Sequence, residues 1–432
     1  MTHSRRTFLE AAGAAIAIGP AVAEAARTKA RPKVAALAST YFYLSHAYHI
    51  VGRFLDGFVV NDGQGLHRPD FDISSLYIEQ TNDATDLGRA KAMRHGVRLS
   101  PDIADALTLG TGKLAVDAVL LIAEHGDYPT NERLQKLYPR GKFFRQVMDV
   151  FKASDRSVPV FLDKHLSYDR NEAAKMVETA KSLNVPFMAG SSLPVTWRFP
   201  TVEVPLGLNW KEAVVVSRGE LEIFGFHALE TLQCMVERRA LNGKPQGVKA
   251  VTCLEGDAVW KALDEGMFSK DLLEAALDRS HTRNPGDMRQ NVRDFAPPPG
   301  RPTFLSGPFA FVVEYADGFK GTALILNGQV DDTTIAARID RPREPIASTL
   351  MYLPAPPGAN FFNPLVLRIE DLFRTGNPPY PVERTQLTGG ILDVGCTSRF
   401  KGGIRIETPE LATIDYVAPA DSGFIRSPVA KA

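Results

Sequence analysis

Val158-Pro159-Val160-Phe161-Leu162-Asp163-Lys164-His165-Leu166 is an apolar run that stops at three titratable side chains. A helical pattern over 170–183 follows, then a second apolar run, 186–189, closed by Gly190. Apolar run, amphipathic helix, apolar run is the pattern of two parallel strands joined by a crossover, since parallel strands are buried on both faces. The same alternation repeats upstream. Strands are predicted at 34–38, 76–79 and 118–123 and helices at 47–56, 87–95 and 101–107, the last with Ser100 as its N-cap. Residues 31–200 therefore read as an α/β domain on a parallel sheet. Beyond 200 the texture changes. Strands at 213–217, 250–254, 310–315, 322–327 and 334–339, with helices at 225–239 and 271–278, make 201–432 an α+β domain with an open, mostly antiparallel sheet. The Pro-rich stretches 296–302 and 354–358 read as loops.

With 432 residues the chain has room for two or three domains at about 100–200 residues each. Its 50 basic and 50 acidic residues cancel, so no global field exists to hold nucleic acid. Cys234, Cys253 and Cys396 show no zinc spacing and read as buried thiols, with a Cys234–Cys253 bridge open as an alternative.

Ser4-Arg5-Arg6-Thr7-Phe8-Leu9, followed by an Ala/Gly-rich apolar stretch to Ala23, matches a twin-arginine export signal. Residues 1–30 are accordingly expected to be removed after recognition by the twin-arginine export machinery. The mature protein is expected in the periplasm, without a stable membrane span. That route carries folded proteins, which suits a tightly held cofactor loaded before export.

Three stretches resemble the glucose-fructose oxidoreductase, inositol dehydrogenase and MocA (Gfo/Idh/MocA) family: Val116-Asp117-Ala118-Val119-Leu120-Leu121-Ile122-Ala123, the stretch 158–166 quoted above, and the tail from Pro378-Pro379-Tyr380-Pro381 to Gly402-Gly403. The tail resembles the helix and last strand closing that family's substrate domain. The resemblance implies a Rossmann-like first domain, hydride transfer between NAD or NADP and a sugar, polyol or glycoside hydroxyl, and a homo-oligomer formed through the open sheet. It makes Lys164 the match to the family's strand-ending Lys, with Asp163 beside it, and likens Gly225-Phe226-His227-Ala228-Leu229-Glu230 to the helix that carries its acid/base His. His227 and Glu230, at i and i+3, share one helix face. The candidate catalytic set is thus Lys164, His227, Glu230 and Asp163. Ile223 stands where the family has an Asp.

The phosphate loop departs from the family. Ala38, Thr40 and Tyr43 occupy the places of the three fingerprint glycines. Ser39 and Thr40 hydroxyls, Glu79 at a strand end, and Glu124 and His125 after the 118–123 strand are the candidate cofactor-binding residues. His165, Trp197 and Arg198 are candidates for substrate binding, the Trp as a stacking platform and the Arg as a clamp, with packing at the domain junction as the alternative for Trp197. His281, Arg283 and Asn284 are expected on a loop near the pocket. A second possibility is a metal held by Glu124, His125, Asp127, His165, His227 and Glu230, which would make the protein a lyase, hydrolase or isomerase of sugars, or a sugar-binding protein without a nucleotide site.

Overall fold

The computed structural model describes residues 30–60, 65–300, 307–341, 343, 345–354 and 358–427; the export signal expected at 1–30 lies almost wholly outside them. Strands β1 (Lys33–Ala38), β2 (Asp72–Ile78), β3 (Arg98–Leu99), β4 (Ala118–Ile122), β5 (Val160–Asp163) and β6 (Phe187–Gly190) form one sheet in the order β3-β2-β1-β4-β5-β6. Every pairing in it is parallel. Helices α1 (His46–Asp56), α2 (Gly88–His95), α3 (Ile103–Thr108), α4 (Arg140–Ser154) and α5 (Arg170–Ser182) alternate with these strands. Every residue of β4 and β5 is buried, which is why those strands read as unbroken apolar runs rather than as alternation. Strand order reverses between β1 and β4, and ligands of such sheets bind at the carboxyl ends beside that point.

Ser45 caps α1 by accepting a hydrogen bond from Tyr48 N at 3.1 Å, which holds the first turn of that helix over the crevice. The cap of α3 differs from expectation. It is Asp102, not Ser100, because the Asp102 carboxylate accepts from Asp105 N at 2.7 Å, and a charged acceptor also suits the helix dipole.

The second sheet contains β7 (Trp197–Phe199), β8 (Trp210–Ser217), β9 (Val248–Glu255), β10 (Phe309–Tyr315), β11 (Lys320–Ile325), β12 (Thr333–Ile339), β13 (Ile346–Tyr352) and β14 (Ile406–Glu407), in the order β14-β9-β10-β11-β8-β12-β13-β7. Only β8 and β11 pair in parallel. Helices α6 (Leu221–Val236), α7 (Asp257–Asp264), α8 (Lys270–Leu277), α9 (Met288–Arg293), α10 (Phe362–Thr375) and α11 (Val382–Phe400) complete the description relevant to the site. One sheet face packs on α6 and α11 through Phe226, Leu229, Phe311 and Ile391. The opposite face is covered by α7, α8 and α9 through Val259, Leu272, Leu273 and Val292.

The tail holds the helix and the strand that its resemblance implied, at 382–400 and Ile406–Glu407. Glycines within the helix serve close approach, since a Cβ at Gly395 would lie 2.4 Å from the Phe311 ring and one at Gly390 2.6 Å from Leu411. All three cysteines are free and buried, so the Cys234–Cys253 bridge is not made. Among the described residues no helix is long and apolar enough to cross a membrane.

Candidate active site

The carboxyl ends of β4, β5 and β6, the start of α1 and the first turns of α6 enclose a cavity of about 800 Å³. Lys164 leaves β5 with φ +74°, a left-handed conformation that few non-glycine residues adopt, and is held there by a bond from its N–H to Gly190 O at 3.0 Å. Its ammonium lies 2.9 Å from His46 Nε2, while His46 Nδ1 lies 2.6 Å from Asp163 Oδ2. The network assigns the protons. Nδ1–H donates to the carboxylate, and the ammonium sits against the ring, 3.1 Å from Nδ1 as well as 2.9 Å from Nε2. Burial pushes the Asp163 carboxyl upward, but the His46 and Lys164 charges outweigh it and hold the group below its usual range. His46 was not singled out from the sequence. The available signal was its place in the first turn after β1, on the side that opens over the crevice.

Glu124 stands behind Lys164, 4.0 Å from its ammonium, and is hydrogen-bonded by Arg140, with both members of that pair buried. Burial alone would raise its carboxyl; Lys164 and Arg140 instead hold it well below the ordinary value. His125 follows with φ +69° and meets the rings of Phe42 and His46 edge-on at 5.4 and 5.2 Å. Burial, with His46 beside it, pushes this imidazole down to about 4.

On the opposite wall α6 presents His227. Its Nδ1 lies 3.0 Å from Ser191 Oγ, which in turn donates to Glu230 Oε2, while Ser191 N donates to Glu230 Oε1 at 3.0 Å. Ser191 therefore accepts from His227 Nδ1–H, leaving Nε2 as the free acceptor. Glu230 orients the imidazole mainly through Ser191, its direct separation being 3.6 Å. Burial lowers the His227 pKa, and the Lys164 charge adds to that. A side chain at Gly190 would stand 2.8 Å from Glu230 Oε1, so the bare glycine backbone is what lets the carboxylate in. Although Ile223 carries no carboxylate, its neighbour Glu222 lines the cavity.

Three substrate-binding expectations are corrected. His165 does not line the cavity but turns away to Arg140 Nη1, 3.1 Å from its Nε2. Trp197 is buried with its indole N–H on Ser427 O at 2.7 Å, and Arg198, 1% exposed, donates to Val202 O and lies over the Phe424 ring. Both pack the junction. Two cofactor candidates are already engaged within the fold: Ser39 Oγ donates to the Glu124 and His125 carbonyls, and Glu79 accepts from Tyr128 and Lys142. Thr40 Oγ1 is buried without a partner. His281 does reach the cavity wall, whereas Arg283 pairs with Glu274 and Asp278 and Asn284 bonds Gly328 O. The alternative metal set is not brought together. Asp127 is tied to Gln80 through its backbone, His165 faces Arg140, and among the described residues no three His, Cys, Asp or Glu side chains converge as ligands.

No family model matches the sequence, and no curated protein is similar to it at a significant level. Solved structures are similar in fold. GenD2 from gentamicin A biosynthesis, in complex with NAD, is 15% identical over 88% of this chain and 96% of its own, with a TM-score of 0.54. An oxidoreductase from Agrobacterium radiobacter in complex with NAD+, L-tartaric acid and magnesium is 12% identical over 87% and 98%, with a TM-score of 0.51. Myo-inositol 2-dehydrogenase from Lactobacillus plantarum is 10% identical over 87% and 99%, with a TM-score of 0.50. The chain therefore shares, over nearly its whole described length, the two-sheet fold of these oxidoreductases.

Proposed function

We propose that this chain is a Gfo/Idh/MocA-like oxidoreductase, exported by the twin-arginine route to the periplasm, that acts on a hydroxyl of a sugar, polyol or glycoside with NAD or NADP. The observation that carries the reading is Lys164, strained into the cavity at the end of β5 and fixed by the His46–Asp163 pair. The reactive end of a dinucleotide fits this site. Thr40 Oγ1 and His125 Nε2 are buried and unpartnered along the edge between β1 and β4, so these residues, with the first turn of α1, would hold the group. Glu79 would have to leave Tyr128 and Lys142 to bind a ribose. When bound, NAD(P) supplies the hydride acceptor.

The chain's own residues manage the proton. Lys164 stabilises the developing alkoxide of the substrate, and its ammonium is positioned by the His46 ring. His227 Nε2 takes the hydroxyl proton, the imidazolium being stabilised through Ser191 by Glu230. Because burial holds His227 below the ordinary 6.5, its base form persists to lower pH. The acid-side bend in kcat/KM is accordingly expected below pH 6.5. A bend above that value would remove His227 from the role.

Gln80 bridges to the Asp127 backbone by two bonds of 2.8 and 3.2 Å, tying the loops after β2 and β4 across the crevice, which supports a held rather than an exchanging cofactor. The engagement of Ser39 and Glu79 favours a second reading, a non-redox carbohydrate-active enzyme in the same cavity. Native against denaturing mass spectrometry of the exported protein from its own host separates the two. A mass difference of one NAD or NADP is expected, and its absence would transfer the cavity to the second reading.

A further inference from the structure

The cavity has two chemically different parts. At the carboxyl end of β5 the Lys164 ammonium and the His227 imidazole present polar groups to a ligand. Away from them the lining turns apolar and aromatic, with Phe42, Phe224, Tyr352, Leu353, Phe361 and Phe362 contributing to it. Of these six only Phe362 is buried, so the others keep part of their apolar surface open.

This wall begins directly beside the reacting groups. The Phe362 ring stands edge-on to His46 at 5.1 Å, Phe224 stands edge-on to His227 at 5.7 Å, and Phe361 continues from Phe362 at 4.8 Å. At the end of β13, Tyr352 lies 6.2 Å from the ring of His281, which also lines the cavity. The polar side chains around that end are closed on one another. Arg218 pairs with Asp331 at 2.9 Å and lies over the Phe224 ring, and the Asp332 carboxylate accepts from Ser280 Oγ and His281 N, both at 2.8 Å. The Thr333 and Ser217 hydroxyls bond each other at 2.8 Å. A ligand hydroxyl placed against these groups would have to displace an existing partner. Apolar ligand surface placed there would instead take aromatic side chains out of water, which is favourable in proportion to the area covered.

A free sugar or polyol carries hydroxyls around its whole edge, so it suits the Lys164 end of the cavity and not the aromatic one. The volume of about 800 Å³ lies in the upper part of the roughly 300–1,000 Å³ found for pockets that take drug-sized ligands. We propose that the substrate of this site is a glycoside with an aromatic aglycone, its sugar hydroxyl at Lys164 and His227 and its aryl group against Phe361, Phe224 and Tyr352. An aromatic group is specified over an aliphatic one because rings that meet offset or edge-on attract each other beyond the area they bury. The proposal deepens the oxidoreductase reading and rests on it for the sugar end, but it is tested by binding.

The test is calorimetric titration of the exported protein, as purified from its own host, with the phenyl, cyclohexyl and methyl glycosides of glucose, galactose, mannose and xylose. At least one phenyl glycoside is expected to bind about tenfold more tightly than its methyl counterpart, and more tightly than its cyclohexyl counterpart. In Phe361→Ala the phenyl-to-methyl affinity ratio is expected to fall to within about threefold. The proposal is overturned if no phenyl glycoside exceeds its methyl counterpart, including the case in which none binds. It is equally overturned if cyclohexyl matches phenyl or if the folded variant keeps the parent ratio. Should Phe361→Ala not fold, Tyr352→Ala makes the same comparison, and the three ligand series decide on the unaltered protein. Phenyl glycosides bound at the expected ratio, with neither NAD(P) nor turnover found, would remove the oxidoreductase reading and leave this one. NAD(P)-dependent turnover of free sugars without any phenyl preference would do the reverse.

Discussion

Lys164→Met is expected to lower kcat by about 10²–10⁴-fold, with a smaller change in KM. The substitution keeps the length and the apolar stem but removes the cation that the structure places against the His46–Asp163 pair. In the oxidised direction the substrate oxygen becomes negative as its proton leaves, so the loss falls on the transition state rather than on the bound ground state. Loss of the ammonium also removes the group that packs on the His46 ring, 2.9 Å from Nε2 and 3.1 Å from Nδ1. His46→Asn should therefore reproduce part of the defect through positioning, because the Lys164 side chain would no longer be aimed. Measured on a substrate identified by screening, a kcat within about threefold of the parent would remove Lys164 from the chemistry, since that difference is under 1 kcal/mol.

The second large effect concerns stability. Arg140→Met is expected to destabilise the fold by about 3–5 kcal/mol, because it takes from the buried Glu124 carboxylate the cation that hydrogen-bonds it, leaving only the more distant Lys164 at 4.0 Å. Arg140 is 1% and Glu124 4% exposed, so neither charge can turn to water. Adding Glu124→Gln should restore a good part of the loss, which a pure packing defect would not allow, and a double-mutant cycle by chemical denaturation reads the difference. The pH dependence follows with a definite sign. Glu124 has its folded pKa depressed below the ordinary 4.5, so the stability it contributes is complete above that value and fades as pH falls through and below it. The Arg140→Met variant should show a smaller acid-side decline, because Lys164 remains 4.0 Å from Glu124. If single and double variants were equally unstable, the charge argument would fail.

Legibility from sequence divides along the range of the contacts involved. The strands of the first sheet were readable because burial on both faces leaves a purely apolar run, and the helices because local caps and spacing carry their own signal. The place of Asp163 and Lys164 at a strand end was readable for a related reason, whereas His227, inside α6, was singled out through the resemblance. The failures are equally specific. Trp197, Arg198 and His165 have the chemistry of a sugar site, but each is turned inward by partners distant in sequence, at Ser427, at Phe424 and, for His165, at Arg140. The tail's helix and strand were implied by the resemblance, but the role of Gly390 and Gly395 as close-packing points against Leu411 and Phe311 depends on elements that only the folded chain brings near.

By itself, then, the sequence determined the α/β first half, the positions of its strand ends and the residue types available there, since hydrophobic period and capping act within a few residues of one another. Only the tertiary structure decided which of those residues share a cavity. It carried His46 from the start of α1 to Asp163, inserted Ser191 between His227 and Glu230, and laid α7 to α9 over the second sheet. The physical reason is that hydrogen-bond reach is about 3 Å in space and is indifferent to separation along the chain. His46 and Asp163, 117 positions apart, can be a pair only after the sheet has formed.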